Sequence, residues 1–261
     1  MTFCLGIAVE EGLVGIADTR ITSGKELTSA PKITCYNFAN GNGAFFMMSS
    51  GLRSIRDKVI IYFDEELGQR EEPFDRLYKA VNAISRHIRT VAEEDGTYLK
   101  QNGLSFNMHM LVGGQLKNDA EHQLFLVYPE GNWVIITPGT PYHIIGESGY
   151  GKPVLDRTLK YTDDLSFALK VGCLAFDSTR ISASDVDFPV DVILYYHNAG
   201  NMVTHRYEKD DLSEISTWWQ EKLRSLVHEL PSEWVDNIAA KLTKVNSKTR
   251  GPIEISGGNQ S

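Results

Sequence analysis

The first seventeen residues alternate in a way that fits a β-hairpin. Residues 3–9 place large apolar side chains at every second position, with small residues between them, which is the period of a β-strand. Glu11 and Gly12 supply a tight turn, and residues 13–17 form a second apolar run. A hairpin of this kind anchors the start of the chain in a sheet, where a terminus would otherwise fray. The sequence therefore predicts that residue 2 lies at a rigid strand end.

Residue 2 is a threonine, and it directly follows Met1. If Met1 is removed, Thr2 carries a hydroxyl and a free α-amine, so that a nucleophile has its own base. An α-amine has an ordinary pKa of about 7.7–8.0, which leaves a usable neutral fraction near neutral pH. We therefore predict that Thr2 is a catalytic nucleophile. Cys4 is an alternative, but its place in the alternating strand favours a small packed residue.

Several segments carry a resemblance to a known family. Four of them resemble a proteasome-type β-subunit: Thr2, Gly15–Thr22, Lys32 and Met47–Ser54. Three later segments sharpen it: Gly146–Lys152, Phe176–Thr179 and Phe188–Asp191. Taken in order, they resemble the bacterial ancestral β-subunit (Anbu) family, a relative of the proteasome core and of the HslV peptidase. The resemblance spans roughly residues 2–200, and the C-terminal extension also suits this family.

The resemblance implies a role for each matched position. Thr2 would attack a carbonyl carbon, Lys32 would contact Thr2, and Asp18 would orient Lys32. Either the α-amine or Lys32 could accept the threonine proton, and the sequence leaves this choice open. We expect Lys32 to lie beside a surface cleft and to contribute little to the core.

The resemblance also implies an oxyanion hole. The backbone N–H of Ser50 would form it, in a position where the proteasome pattern has glycine; here Ser50 is followed by Gly51, which we assign a supporting role. Ser50 or Ser49 also suits the N-cap of a following helix.

A further group of residues would surround the amine. Ser148 and Asp177 match positions that hydrogen-bond the threonine amine in proteasome subunits. The partner serine of that pattern falls on Arg180 in this chain, so Ser182 or Ser178 must substitute. Arg20, two residues after Asp18, would help to shape the site loop.

The rest of the chain alternates between blocks of strands and pairs of helices. Strands are predicted near 31–39, 43–49, 105–113, 122–128, 132–137, 188–198 and 201–209, and helices near 49–69, 73–94, 150–161 and 164–180. This order predicts an α+β fold with two sheets flanked by helix pairs. It resembles the four-layer αββα sandwich of N-terminal-nucleophile hydrolases. We expect a single domain over residues 1–247, with a helical extension from about 211, and a flexible tail over 248–261.

The amino-acid composition limits the classes of partner that we expect. The formal net charge of −8 disfavours nucleic acid, and no stretch has the apolar length of a membrane span. The three scattered cysteines lack the spacing of a metal site and are typical of reduced thiols in a cytoplasm. We also expect no signal sequence, because the start of the chain has no basic segment followed by an apolar one. We expect no metal or organic cofactor. The expected partners are further copies of the chain in a ring or spiral, a peptide or amide substrate, and a separate ATP-dependent unfoldase, because the chain has no P-loop.

The leading hypothesis is a threonine-type peptidase of proteasome type. Two alternatives remain open: a catalytically idle assembly or binding protein with the same fold, and a small-molecule amidase of the same superfamily. His109 is expected to be an ordinary core or surface residue, and Trp218 and Trp219 to be core or interface residues.

Overall fold

The computed structural model describes residues 2–23, 26–39 and 41–245. Twelve strands and six helices occur in these ranges. The strands are β1 Phe3–Val9, β2 Gly12–Asp18, β3 Arg20–Ser23, β4 Glu26–Ser29, β5 Ile33–Asn37, β6 Gly43–Gly51, β7 Met108–Leu116, β8 Gln123–Val127, β9 Trp133–Ile135, β10 Tyr142–Gly146, β11 Val190–Tyr196 and β12 Val203–Tyr207. The helices are α1 Arg53–Gly68, α2 Leu77–Gln101, α3 Lys152–Thr158, α4 Leu165–Ser182, α5 Lys209–His228 and α6 Glu233–Val245.

Two five-stranded antiparallel sheets form the body of the fold. The first has the order β10-β1-β2-β11-β12, and the second has the order β5-β6-β7-β8-β9. The predicted hairpin is present, with Cys4 opposite Ala17 and Val9 opposite Gly12. Both of its strands are fully buried, because β1 lies between β10 and β2, and β2 lies between β1 and β11. The start of the chain is therefore held in the middle of a sheet.

Helices cover the sheets, and the alternation of β1 directs its side chains to two cores. Phe3, Leu5 and Ile7 pack with α3 and α4, whereas Cys4 and Ala8 pack with residues of the second sheet, α1 and α2. The small residues of β1 thus face the second sheet and let it approach, while the large ones fill the space under α4. The chain has a mixed α and β fold with antiparallel sheets.

The helices differ from the expected bounds at both ends. Ser49 and Ser50 belong to β6 instead of capping α1, whose N-cap residue is Leu52, with no side-chain capping bond. Helix α2 begins at Leu77, after Pro73, and continues to Gln101. Sequence periodicity also missed the β3–β4 hairpin and β10, because these short strands carry little pattern of their own.

The chain forms two compact units, Met1–Ser216 and Thr217–Ser261. The second unit contains the end of α5 and all of α6, and the helical extension expected from about 211 corresponds to α5, which begins at Lys209. The expected tail over 248–261 lies outside the described residues. Within those residues, no helix is long and apolar enough to cross a membrane.

Candidate active site

Two hydrogen bonds fix the chain at Thr2 and at the residue that follows it. The Glu147 N–H donates to the Thr2 carbonyl oxygen at 2.7 Å, and the N–H of the next residue, Phe3, donates to Asp18 Oδ1 at 2.8 Å. Gly146 is required beside them, because its φ is +92° and a Cβ there would lie 1.9 Å from the Thr2 oxygen. The position of Thr2 is therefore fixed by main-chain geometry as well as by β1.

A buried ion pair lies next to this anchored terminus. Asp18 is the last residue of β2, and Lys32 directly precedes β5. Lys32 Nζ donates to Asp18 Oδ1 at 2.7 Å and to the Arg20 carbonyl oxygen at 2.7 Å. The two side chains are 0% (Asp18) and 4% (Lys32) exposed. Lys32 does lie beside a cavity, as expected, but the expectation that it adds little to the core is wrong, because its ammonium group is enclosed.

Burial dominates the electrostatics of Asp18. It raises the pKa of the Asp18 carboxyl above its ordinary value, although the Lys32 charge and the N–H groups of Phe3 and Arg20 oppose that shift. Asp18 Oδ2 has no hydrogen-bond partner among the described residues. The pair thus holds a charged carboxylate in a poorly solvated place, with Lys32 as its main compensation.

Thr2 and Lys32 face a cavity of about 830 Å³. The other described residues that line it come from β3, β4, the end of β6, the start of α1, the start of β7 and the end of β10: Arg20, Ile21, Thr28, Ser49, Ser50, Gly51, Leu52, Arg53, Arg56, Asn107, His109 and Gly146. This volume is large enough for a drug-sized ligand or a short peptide side chain with its backbone.

The end of β6 directs the main-chain N–H of Gly51 to this cavity. The Ser49 N–H donates to the Lys32 carbonyl oxygen at 3.3 Å, so it points towards β5. N–H directions alternate along a strand, so the Ser50 N–H points towards β7 and the Gly51 N–H points back towards the β5 side. Because β5 begins only at Ile33, the Gly51 N–H lies beyond its end, where the cavity opens.

The backbone conformation at position 51 also requires a glycine. Its φ is +112°, and a Cβ there would lie 1.8 Å from the Asn107 carbonyl oxygen. Only glycine allows β6 to turn into α1 while staying this close to the chain before β7.

Cys4 is a packed residue, as its place in the strand indicated. It is fully buried, its Sγ donates to the Ser49 carbonyl oxygen at 3.7 Å, and burial raises the pKa of its thiol strongly. A buried thiol of this kind is inert as a nucleophile. Nor do residues 2–23, 26–39 and 41–245 contain a group of three or more His, Cys, Asp or Glu side chains that could hold a metal ion.

Comparison with known proteins identifies the family. No protein-family model matches the chain, and no curated protein matches it. A mutant of Anbu from Hyphomicrobium sp. strain MC1 is 30% identical, with a TM-score of 0.81, over 88% of this chain and 98% of the other. Anbu from Yersinia bercovieri is 28% identical, with a TM-score of 0.81 and the same coverage. The helical assembly of the Anbu complex from Pseudomonas aeruginosa is 27% identical, with a TM-score of 0.82, over 88% of this chain and 97% of the other.

The chain belongs to the Anbu family. The resemblance read from the sequence is thereby confirmed, and it extends beyond residues 2–200. In this Anbu chain, five of the residues singled out in the sequence line one cavity: Thr2, Arg20, Lys32, Ser50 and Gly51. Asp18 lies behind them, bonded to Lys32.

Three other expected site residues have different surroundings in this Anbu chain. Ser148, Asp177 and Ser182 are not among the described residues that line the cavity. Arg180 Nη2 lies 2.6 Å from Asp177 Oδ1, and Ser216 Oγ donates to Asp177 Oδ2 at 3.1 Å. Ser148 accepts the Lys152 N–H through its carbonyl oxygen, and Ser182 is an exposed residue at the end of α4.

Other residues that line this Anbu site were not predicted from the sequence to belong to it. Arg53 and Arg56 belonged to a helix pattern, and His109 carried no ligand spacing. The spacing of Arg53 and Arg56 by three residues at a helix start was an available signal, since it puts both side chains on one face. His109 and Asn107 had none, because their place in the cavity depends on the pairing of β7 with β6.

Proposed function

We propose that this Anbu chain is an N-terminal-threonine amide hydrolase with Thr2 as its nucleophile after removal of Met1. The observation that carries the proposal is the anchored Thr2 in a large cavity, with the buried Asp18–Lys32 pair beside it. A buried charge pair that burial destabilises is typical of a functional site, because stability alone does not favour it.

The chemistry follows from the residues around Thr2. Its Oγ attacks an amide carbonyl carbon and loses its proton to a base; the amine leaves with a proton, and water then hydrolyses the ester. Lys32 Nζ has two acceptor partners, which match the N–H donors of an ammonium group. Lys32 therefore supplies positive charge beside the nucleophile, and the Thr2 α-amine is the better candidate for the base. A nearby positive charge also favours the neutral form of that amine.

The oxyanion donor is assigned to Gly51 in this proposal. The Gly51 N–H lies beyond the end of β5 and can donate to an oxygen in the cavity. The Ser50 N–H points towards β7, so it is less suited to that role. The glycine of the proteasome pattern is then present one residue later than the sequence comparison placed it. One such donor typically lowers a reaction barrier by about 2.7–4 kcal/mol.

The proposal extends to architecture and assembly. The packing of α1 and α2 on one sheet and of α4 on the other supports a four-layer αββα sandwich of the N-terminal-nucleophile type. The Pseudomonas aeruginosa relative forms a helical assembly, which suggests a homo-oligomer, ring or spiral, for this chain too. A peptide or amide substrate, a cytoplasmic location and a separate unfoldase complete the proposal.

One observation favours the second candidate, a catalytically idle assembly protein. The carboxylate of Asp177, which would stabilise a protonated Thr2 amine, is instead engaged by Arg180 and Ser216. If that carboxylate is essential, the site is incomplete in this arrangement.

Intact-mass analysis separates these candidates. Purified protein is treated with a threonine-directed electrophile, and the mass and the modified residue are determined. We expect loss of Met1 and a single adduct on Thr2, no adduct and no amidase turnover in Thr2→Ala, and an unchanged result in Thr28→Ala, a matched control on the same cavity wall. Unmodified Thr2 in the mature protein would support the idle alternative. Turnover of small amides but not of peptides would support the amidase.

A further inference from the structure

The cavity beside Thr2 is lined by basic side chains in an acidic protein. Its described lining includes Arg20, Lys32, Arg53, Arg56 and His109, and no aspartate or glutamate. The whole chain carries a formal net charge of −8. A concave surface whose charge opposes that of the rest of the molecule attracts ligands of the opposite sign. The strength of this attraction depends on how many of the basic side chains are already paired with carboxylates.

The basic side chains of the cavity are not neutralised equally. Lys32 is paired with the buried Asp18, and Arg20 Nη1 lies 3.0 Å from Asp187 Oδ2. Arg53 and Arg56 share a single carboxylate, that of Asp57. The group formed by Arg53, Arg56 and Asp57 therefore has one positive charge in excess.

Arg56 is held in place, and Arg53 is open to the cavity. Arg56 donates from Nε and Nη2 to Asp57 Oδ1 at 2.9 and 2.7 Å, and from Nη1 to the Pro31 carbonyl oxygen at 3.3 Å. Arg53 uses Nε on Asp57 Oδ2 at 3.1 Å, and its side chain is 58% exposed. Within the described residues, its two Nη groups have no protein partner. A guanidinium presents them as a fork that fits a carboxylate.

The placement of these arginines also runs against helix electrostatics. They lie at the start of α1, where the first turn contains no acidic residue and the N-cap supplies no side-chain bond. The positive end of a helix favours acidic side chains, so two arginines there are unfavourable for the helix itself. An anion bound in the cavity would satisfy both the guanidinium groups and the helix end.

We propose that this cavity selects substrates that carry a carboxylate on the acyl side of the scissile amide, with Arg53 and Arg56 as specificity-determining residues. The proposal rests on the hydrolase function proposed above, because it places the acyl group of the Thr2 ester in the same cavity. A glutamyl side chain is the simplest such group. Its carboxylate would meet the excess positive charge of Arg53 and Arg56.

The test compares substrates that differ only in charge. N-acetyl-Ala-Glu and N-acetyl-Ala-Gln aminocoumarin amides are isosteric, and the ratio of their kcat/KM values measures recognition of the carboxylate. We expect a preference for Glu of roughly 10- to 100-fold, the range for a hydrogen bond to a charged group. In Arg53→Gln/Arg56→Gln, the ratio should fall below about threefold. Raising the salt concentration should lower the ratio in the parent protein, because the side chain of Arg53 is exposed.

The matched control is Arg86→Gln on α2. Arg86 is 55% exposed and ion-paired with Glu66, so the substitution makes the same charge change outside the cavity lining. It should leave the preference for Glu unchanged. A ratio near one in the parent protein, or a ratio that the two arginine substitutions do not lower, overturns the proposal.

Binding separates failure of this inference from failure of the hydrolase function. N-acetyl-Ala-Glu amide and N-acetyl-Ala-Gln amide are titrated into Thr2→Ala, in which no acylation can occur. Tighter binding of the Glu peptide, lost in the arginine variants, supports recognition of a carboxylate even if Thr2 proves unreactive. Equal binding of the two peptides overturns the inference, even if Thr2 reacts with an uncharged electrophile and the hydrolase function stands.

Discussion

Replacing Lys32 with methionine should expose the cost of burying Asp18. Methionine keeps much of the volume of lysine but removes the one charge that, among the described residues, lies within hydrogen-bond distance of the Asp18 carboxylate. Asp18 is 0% exposed, and within the part of the chain that the structure describes it would keep only N–H donors as partners. Removing one partner of a buried pair typically costs about 3–5 kcal/mol. Against a typical stability of about 5–15 kcal/mol, Lys32→Met should remain folded but clearly weakened.

The pH dependence of this loss has a definite sign. Burial already raises the pKa of Asp18, and Lys32 opposes that shift, so the pKa should rise further in Lys32→Met. A carboxyl with a raised pKa in the folded state binds its proton more tightly when folded than when unfolded. Its contribution to stability is therefore fully present below the ordinary value of 3.8 and is lost as the pH rises through the folded-state pKa. The penalty of Lys32→Met should shrink as the solution is acidified from pH 7 towards pH 4.

Urea unfolding at fixed protein concentration measures these free energies. The double variant Lys32→Met/Asp18→Asn should recover most of the lost stability, since no buried charge of the pair remains. Lys79→Met is the control, because Lys79 forms an exposed, solvent-screened pair with Asp75 whose loss should change the stability little. A loss in Lys32→Met as small as the control, or a double variant no more stable than the single one, would refute the reasoning.

Three further predictions concern the terminus, the oxyanion donor and assembly. Gly146→Ala should lower both stability and the reactivity of Thr2, because a Cβ there meets the Thr2 oxygen at 1.9 Å; unfolding and electrophile labelling measure the two effects. Ser50→Ala should leave the rate of Thr2 acylation within about threefold, because the assigned donor is the main-chain N–H of Gly51 and the Ser50 hydroxyl takes no part; a 100-fold loss would contradict this. Light scattering at micromolar concentration should show an oligomer, and Trp218→Ser/Trp234→Ser should lower its mass, because these tryptophans are 54% and 63% exposed on α5 and α6. A monomer in the parent protein would count against assembly.

The sequence was informative wherever the signal is local. Alternation in residues 3–9 and the turn at Gly12 were enough to predict β1 and β2, because the period of a strand is written in neighbouring residues. The ordered motif around Thr2, Asp18 and Lys32 led to the family. Short strands such as β3 and β10 escaped because four or five residues carry too little pattern to separate a strand from a loop.

The tertiary structure alone decided the character of the site. No local pattern reveals that Lys32 is enclosed, since its burial depends on where β5 and β6 lie relative to the loop after β2. The N–H direction of Gly51 depends on strand register, and the partners of Asp177 depend on how α4 meets the start of α5. The basic cavity wall combines residues from five strands and one helix. The residue types of a site are fixed locally along the chain, whereas burial, charge compensation and cavity shape arise only when distant segments pack together.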